Sequence, residues 1–236
     1  MILDQRKLAK IPVSTAVFES IDSTNLFLKR QIRDGYQPYG LVIAKEQTNG
    51  QGRVGKSFYS PSGTGLYLTF CFPTFDSRDL TPRIALACSR AIESIFPVQC
   101  GIKWVNDLYL DHKKIAGILC QRVEDYVLIG VGINLSRPKH IPDELFGRIG
   151  FLMEDSSDFD ASDLILALYH EISQMPEPDL LEYKNRCIHL NQRVSILENG
   201  KEIEGVCVDI SDDFSIVIST EGTLRSFSSG YVSLKI

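Results

Sequence analysis

Apolar and polar positions along the chain change between a strand-like alternation and a helical spacing, and the changes lay out a mixed fold. Ala16-Val17-Phe18-Glu19-Ser20 reads as an opening strand, after which Leu26, Phe27, Leu28 and Ile32 hold a helical face as far as Gly35. Asp22 or Ser23 is suited to cap that helix, because a short side-chain oxygen accepts the unpaired N–H groups of a first turn. Leu41–Ala44 and Leu66–Phe70 are short apolar runs of buried-strand type on either side of a long loop. Ile84, Leu86, Ala87, Ala91, Ile92 and Ile95 form the next helical face, with Thr81 as the expected cap and Pro82 in the first turn. Val98–Lys103 reads as a strand. Leu108–Leu110 and Ile115–Leu119 read as two more, joined by a turn at Asp111–Lys113, with Lys114 opening the second. Val127–Leu135 is almost continuously apolar, as a central strand buried on both faces is, and Asn134 is its one polar side chain. Residues 136–158 carry little regular pattern. Ala161–Ser173, capped by Asp160, and Leu180–Leu190 are amphipathic helices.

From Asn191 the texture changes to short alternating segments: Val194–Ile196, Ile203–Val208, Phe214–Ile218 and Leu224–Phe227. Turns are expected at Glu198-Asn199-Gly200, Ser211-Asp212-Asp213 and Glu221-Gly222, which predicts a small antiparallel barrel.

The loop between the first two buried strands is the richest in chemistry. Five glycines lie between Gly50 and Gly65, and two cations, Arg53 and Lys56, sit among them. A long loop costs closure entropy, glycine lets backbone N–H groups approach a ligand, and the cations favour a phosphate or carboxylate. Gly50–Gly55 also spells G-x-G-x-x-G, but the context excludes both usual meanings. A dinucleotide fold needs a helix starting on the loop, and here Phe58, Pro61 and a second strand follow. A kinase loop would be followed by H-R-D and D-F-G, and neither occurs. A second dense stretch, Lys103-Trp104-Val105-Asn106-Asp107 followed by Lys113 and Lys114, makes a plausible opposite wall. Taken locally, the two lysines read as a solvated turn and Asn106-Asp107 as turn chemistry. Asp107 is also able to hold magnesium on a triphosphate, since that ion takes few carboxylates plus phosphate oxygens.

At 236 residues the chain suits one large domain, or a domain with a small appendage, and it can bury a substantial core. A net charge of −5 argues against a general nucleic-acid or membrane-surface binder. No apolar run reaches membrane-spanning length, and MILDQRKLAKIP has no apolar signal core. Six scattered cysteines without C-x-x-C, and four scattered histidines, fit a reduced cytoplasmic protein without a cluster of protein metal ligands.

Together the two dense stretches resemble the biotin protein ligases, the biotin–[acetyl-CoA-carboxylase] ligases. Gly50–Tyr67 is similar to their glycine loop, Lys103–Leu119 to their K-W-P-N-D…K-x-x-G-I-L block, Gly130–Asn134 to G-x-G-I-N, and Ser23-Thr24-Asn25 to S-T-N. The resemblance covers most of residues 16–135, and the β tail is similar to the family's SH3-like domain. It implies an α+β fold, with a mixed-sheet catalytic domain over residues 1–188 and a small SH3-like β-barrel over 189–236. It also implies a two-step reaction: MgATP and biotin give biotinyl-5′-AMP and pyrophosphate, and a lysine of a biotin carboxyl carrier protein then displaces AMP.

By the same resemblance Lys114 and Arg53 are the catalytic cations. Ser23, Thr24, Asn25, Gln47, Gln51, Gly52, Arg53, Lys114 and Gly117 surround biotin. Gly50, Arg53, Gly55, Lys56, Phe58, Lys103, Trp104, Asn106 and Asn134 take ATP and the adenylate, with Asp107 on Mg²⁺. Closure of the loop would keep water off the mixed anhydride. Phe58 stands where the family has Trp, Val105 where it has Pro, and Val54 and Lys56 at frequent Arg positions, which weakens the expected anion grip. No winged helix-turn-helix precedes residue 16, so repressor activity is not expected. A homodimer is compatible with the resemblance. Its nearest rival is a lipoate or octanoate ligase or transferase of the same fold, followed by a non-catalytic carrier-binding protein.

Overall fold

Leu41-Val42-Ile43-Ala44 is wholly buried, and the two faces of this strand show how the molecule is layered. Leu41 and Ile43 join one hydrophobic cluster, while Val42 between them joins another. A side-chain period of two divides any strand this way, so a sheet with apolar residues at every position needs cover on both sides. The computed structural model describes residues 1–75, 79–174, 179–198, 201–228 and 230–234.

The elements, in chain order, are α1 (Gln5–Leu8), β1 (Thr15–Phe18), α2 (Thr24–Arg33), β2 (Leu41–Ala44), β3 (Gly65–Pro73), α3 (Leu80–Ile95), β4 (Gly101–Lys103), β5 (Asp107–Leu110), β6 (Lys113–Val123), β7 (Tyr126–Asn134), α4 (Ser162–Ser173) and α5 (Leu180–Arg186). Then follow β8 (Arg193–Glu198), β9 (Lys201–Ile210), β10 (Ile216–Thr220), β11 (Thr223–Phe227) and β12 (Tyr231–Leu234). The first seven strands make one sheet in the order β1-β2-β3-β7-β6-β5-β4. Only β1 and β2 run parallel; the other pairs are antiparallel, so the sheet is mixed. Helices α3 and α4 cover one face through Ile84, Ala91, Ile92, Leu164 and Leu168, and α2 covers part of the other through Leu28 and Ile32. The last five strands form a second, antiparallel sheet in the order β11-β10-β9-β8-β12. Its inner residues Val194, Ile196, Cys207, Ile216, Ile218 and Val232 belong to the same hydrophobic cluster as α3 and α4.

The expected strands and helices largely stand where the pattern put them, with local differences. Ser23 caps α2, accepting the Leu26 N–H. Thr81 does not cap α3, because the helix starts at Leu80 with Asp79 at the cap position, which leaves Thr81 and Pro82 inside the first turn. The Val98–Lys103 run is a strand only from Gly101, since Val98 N–H closes a tight turn onto Phe96 O. Ala161 rather than Asp160 holds the cap position of α4, although Asp160 Oδ1 accepts the Ser162 N–H at 3.0 Å. Helix α5 stops at Arg186 because Cys187 and Ile188 turn extended and join the edge of β4. Phe214 sits in a turn with φ 59°, and β10 begins at Ile216. The short α1 and the edge strand β12 were not anticipated, and the turn expected at Asn199-Gly200 lies outside the described residues. Among the described residues no helix is long and apolar enough to cross a membrane.

Candidate active site

The sheet register lines up a row of residues on the α2 face: Tyr67 pairs with Gly132, Gly132 with Gly117, Gly117 with Asp107, and Asp107 with Lys103. A second row holds Thr69, Gly130 and Leu119. Cross-strand partners share a face, so three glycines leave a hollow in an otherwise covered sheet. The hollow is used. A Cβ on Gly130 would meet Asn25 Oδ1 at 2.3 Å, and one on Gly132 would meet the Phe58 ring at 2.5 Å. A Cβ on Gly117 would meet Phe58 at 3.0 Å and Lys114 Nζ at 3.1 Å. The cavity above these strands has a volume of about 320 Å³.

At one end lies a chain of polar groups. Thr69, wholly buried on β3, has its hydroxyl 2.7 Å from Thr24 Oγ1 and 2.5 Å from Asn25 Oδ1. Thr24 donates its N–H and its hydroxyl to Gln47 Oε1, at 2.9 and 3.2 Å. Gln47 Nε2 donates to Ser60 Oγ, which donates on to Phe58 O, and Asn25 Nδ2 donates to Gln121 Oε1. The α2 cap thus serves twice: it begins the helix, and it aims Thr24 and Asn25 at the glycine floor. Buried polar groups that are largely paired are rigid, which suits recognition of a small polar head group.

At the other end are the cations. Arg53 stands on a tight 3₁₀ turn, Arg53–Gly55, closed by Gly52 N–H to Lys56 O at 2.7 Å. Its Nη1 donates to Asn106 Oδ1 at 3.2 Å, and Asn106 Nδ2 donates to Ile118 O at 2.8 Å. Lys114 Nζ lies 2.8 Å from Asp107 Oδ1 and 5.5 Å from the Phe58 ring centre. That carboxylate oxygen is buried and makes a close ion pair without hydrogen-bond alignment.

Lys114 reaches this face through a bulge. Leu108 pairs with Ala116 but Tyr109 with Lys114, so Ile115 is an extra residue and the side-chain alternation shifts by one. Lys113 instead faces a second cavity, of about 560 Å³, beneath the 136–154 segment. The Lys114 backbone is clamped there: its N–H donates to Arg148 O, and its carbonyl accepts from Gly150 N and Asn134 Nδ2.

Ser23, Thr24, Asn25, Gln47, Gln51, Gly52, Arg53, Lys56, Phe58, Lys103, Trp104, Asn106, Asp107, Lys114 and Gly117 all line the first cavity. Gly50, Gly55 and Asn134 do not. Gly50 is packed under the loop, where a Cβ would strike Phe58 O at 2.4 Å, while Gly55 has φ +72° and supports the turn. The sequence reading missed Thr69, Ser60 and Gln121, and it missed Leu197, Gly230 and Val232, which bring the second sheet to the cavity wall. Thr69 carried a signal, a lone hydroxyl in an apolar strand. The others are brought in by tertiary structure alone. Burial pushes the thiols of Cys71 to about 11 and of Cys100 and Cys207 to about 12, so these are not thiolates near neutrality.

Comparison with known proteins gives two family matches: the biotin/lipoate A/B protein ligase family over residues 17–134, and the biotin protein ligase C-terminal domain over residues 189–235. The chain is 25% identical over 240 residues to the bifunctional ligase/repressor BirA of Escherichia coli, covering 94% of this chain and 74% of that one. It is 27% identical over 226 residues to a biotin–[acetyl-CoA-carboxylase] ligase of Mycobacterium tuberculosis, covering 89% and 85%. The structure is similar to a biotin protein ligase from Aquifex aeolicus in complex with biotin and ATP, with a TM-score of 0.81, 28% identity, and 94% and 98% of the two chains covered.

Proposed function

The chain belongs to the biotin/lipoate A/B protein ligase family, and we propose that its cavity activates biotin with ATP and passes it to a carrier lysine. The enzyme is a biotin ligase: it attaches biotin to carrier proteins at the expense of ATP, through biotinyl-5′-AMP. One observation carries the assignment of roles. A paired polar recess and a pair of cations stand at opposite ends of one glycine-floored cavity. A ligand with a polar head at the first end would hold its carboxylate toward the second.

In this reading Ser23, Thr24, Asn25, Gln47, Gln51, Gly52 and Gly117 hold biotin, and Thr69 locks Thr24 and Asn25 in place. Lys103, Trp104, Asn106, Lys56, Phe58, Gly50, Gly55 and Asn134 hold or frame the nucleotide. The carboxylate oxygen attacks the α-phosphorus, the bond to the pyrophosphate oxygen breaks, and negative charge grows on the phosphoryl oxygens. Lys114 and Arg53 oppose that charge inside a partly buried cavity, where a fixed cation is worth more than in water. At rest the Lys114 charge is balanced by Asp107, so an incoming phosphate competes for an ammonium that is already in position. Magnesium fits here, because Asp107 is a mostly buried carboxylate whose ammonium partner Lys114 can turn to an incoming phosphate, and few protein ligands are needed beside phosphate oxygens. Asp107 would hold it, and when bound it would neutralise phosphate charge.

Phe58 closes the cavity over the glycine floor and shields the anhydride from water. A carrier-domain lysine, in our reading that of a biotin carboxyl carrier protein, then attacks the acyl carbon and AMP leaves. We assign the reaction to the cytoplasm, where six free cysteines stay reduced. Incubating the protein with biotin, MgATP and an apo carrier domain tests this. Mass spectrometry should find one biotinyl group on one carrier lysine, and an unmodified carrier would contradict the reading.

A further inference from the structure

His189 is wholly buried where the first sheet meets the second, outside the cavity described above. The chain leaving α5 runs alongside the edge strand β4: Cys187 bridges Ile102 in parallel, and Ile188 N–H donates to Ile102 O at 3.0 Å. Gly101 allows this approach, since a Cβ there would meet Ile188 Cγ2 at 2.5 Å. Beyond Ile188 the ladder continues through a side chain, as Trp104 N–H donates to His189 Nδ1 at 3.3 Å. A neutral ring that accepts at Nδ1 carries its proton on Nε2, and Nε2 has no partner among the described residues. Burial first, then the nearby Lys103 charge, lowers the ring's pKa to about 3, so it stays an acceptor at neutral pH.

Trp104 is gripped on its other side as well. Its indole N–H donates to Phe214 O at 2.8 Å, and Tyr183, edge-on to Phe214 at 5.2 Å, donates its hydroxyl to Val105 O at 3.4 Å. Lys103 just before Trp104, and Asn106 and Asp107 just after Val105, line the cavity.

We infer that His189 is a positioning residue for adenylation, fixing the Lys103–Asp107 wall through the Trp104 backbone. The inference rests on assigning that wall to the nucleotide. Without the acceptor, a buried N–H loses its partner, and the segment must shift to recover one. The polar end of the biotin recess, Thr24, Asn25, Gln47, Thr69 and Gln121, comes from α2, the loop after β2, β3 and β6, and none of these residues lies in the Lys103–Asp107 wall, so the shift should spare it.

The test compares full-length wild type, His189→Leu and His189→Asn, reading KM for ATP and kcat in biotin-dependent pyrophosphate exchange, Kd for biotin by calorimetry, and thermal midpoint. The Asn Oδ1 can stand near the Nδ1 position. The Leu variant should raise KM for ATP about tenfold, with biotin Kd within about twofold, and the Asn variant should recover most of the loss. An unchanged KM for ATP in the Leu variant, an equal loss for biotin, or no recovery with Asn overturns the inference. Should the Leu variant fail to fold, His189→Gln takes its place, because its oxygen reaches toward the Nε2 position instead. A KM for ATP raised in Gln but not in Asn supports the inference, and equal values overturn it. Wild-type protein inactive in exchange would count against the ligase reading itself, whereas the variants judge His189 against an active wild type.

Discussion

Two neighbouring lysines at the β5–β6 turn have opposite surroundings. Lys114 places its ammonium 2.8 Å from Asp107 on the glycine floor, whereas Lys113 is exposed and faces the second cavity. Lys114→Ala should therefore lower biotin-dependent pyrophosphate exchange by about 10²–10³-fold, the usual cost of one preorganised charge-stabilising group. Lys113→Ala should stay within about twofold, a surface change away from the chemistry. Equal losses in initial-rate assays would remove Lys114 from its special role. A second prediction concerns pH. His189 has a folded pKa near 3 against an ordinary 6.5, so between these values the unfolded chain binds a proton that the folded chain does not. Stability from this group is full above about pH 6.5 and falls as pH drops toward 3. Relative to His189→Asn, wild type should lose about 2 kcal/mol between pH 7.5 and pH 5 in urea denaturation. The same pH dependence in both proteins would show that the ring is not held neutral. At this scale the sequence was partly legible. Ser23-Thr24-Asn25, Arg53 and the lysine pair stood out locally. Thr69, Gln121 and His189 take their roles from partners 44, 96 and 85 positions away, and no local pattern encodes such contacts.

Among the elements, β6 and β7 do the most for the site. The extra residue at Ile115 turns Lys114 onto the glycine face, and Gly130 and Gly132 admit Asn25 and Phe58. Gly132→Ala should push the Phe58 ring off the floor, because a Cβ would come within 2.5 Å of it. The ring lies at the end of an exposed loop and can move, so we expect the fold to survive. The adenylate should leak: its dissociation, followed by filter binding, should speed up about tenfold or more. Unchanged retention would show that Phe58 does not close the cavity. Alternation and helical spacing identified the long elements well, because burial on one or both faces dictates those patterns. The bulge was invisible, since an apolar run containing Ile115-Ala116-Gly117-Ile118 reads the same in either register. The end of α5 shifted for a similar reason: the chain's path after it is decided by pairing with β4, not by the residues nearby.

On the scale of the whole molecule, the two sheets share one hydrophobic cluster, and the second sheet contributes Leu197, Gly230 and Val232 to the cavity. The sequence marked the change of texture near Asn191 but could not show that the β tail grips Trp104 from behind. Ion pairs from Arg186 to Glu93 and from Arg90 to Glu182 tie α5 to α3 and hold the junction in place. This assembly activates biotin with ATP. Pyrophosphate exchange into ATP, run separately with biotin, lipoate and octanoate, tests it most directly. Exchange is expected with biotin, and it should fall about 10²–10³-fold in Lys114→Ala. Exchange driven only by lipoate or octanoate, or by no acid at all, would contradict it.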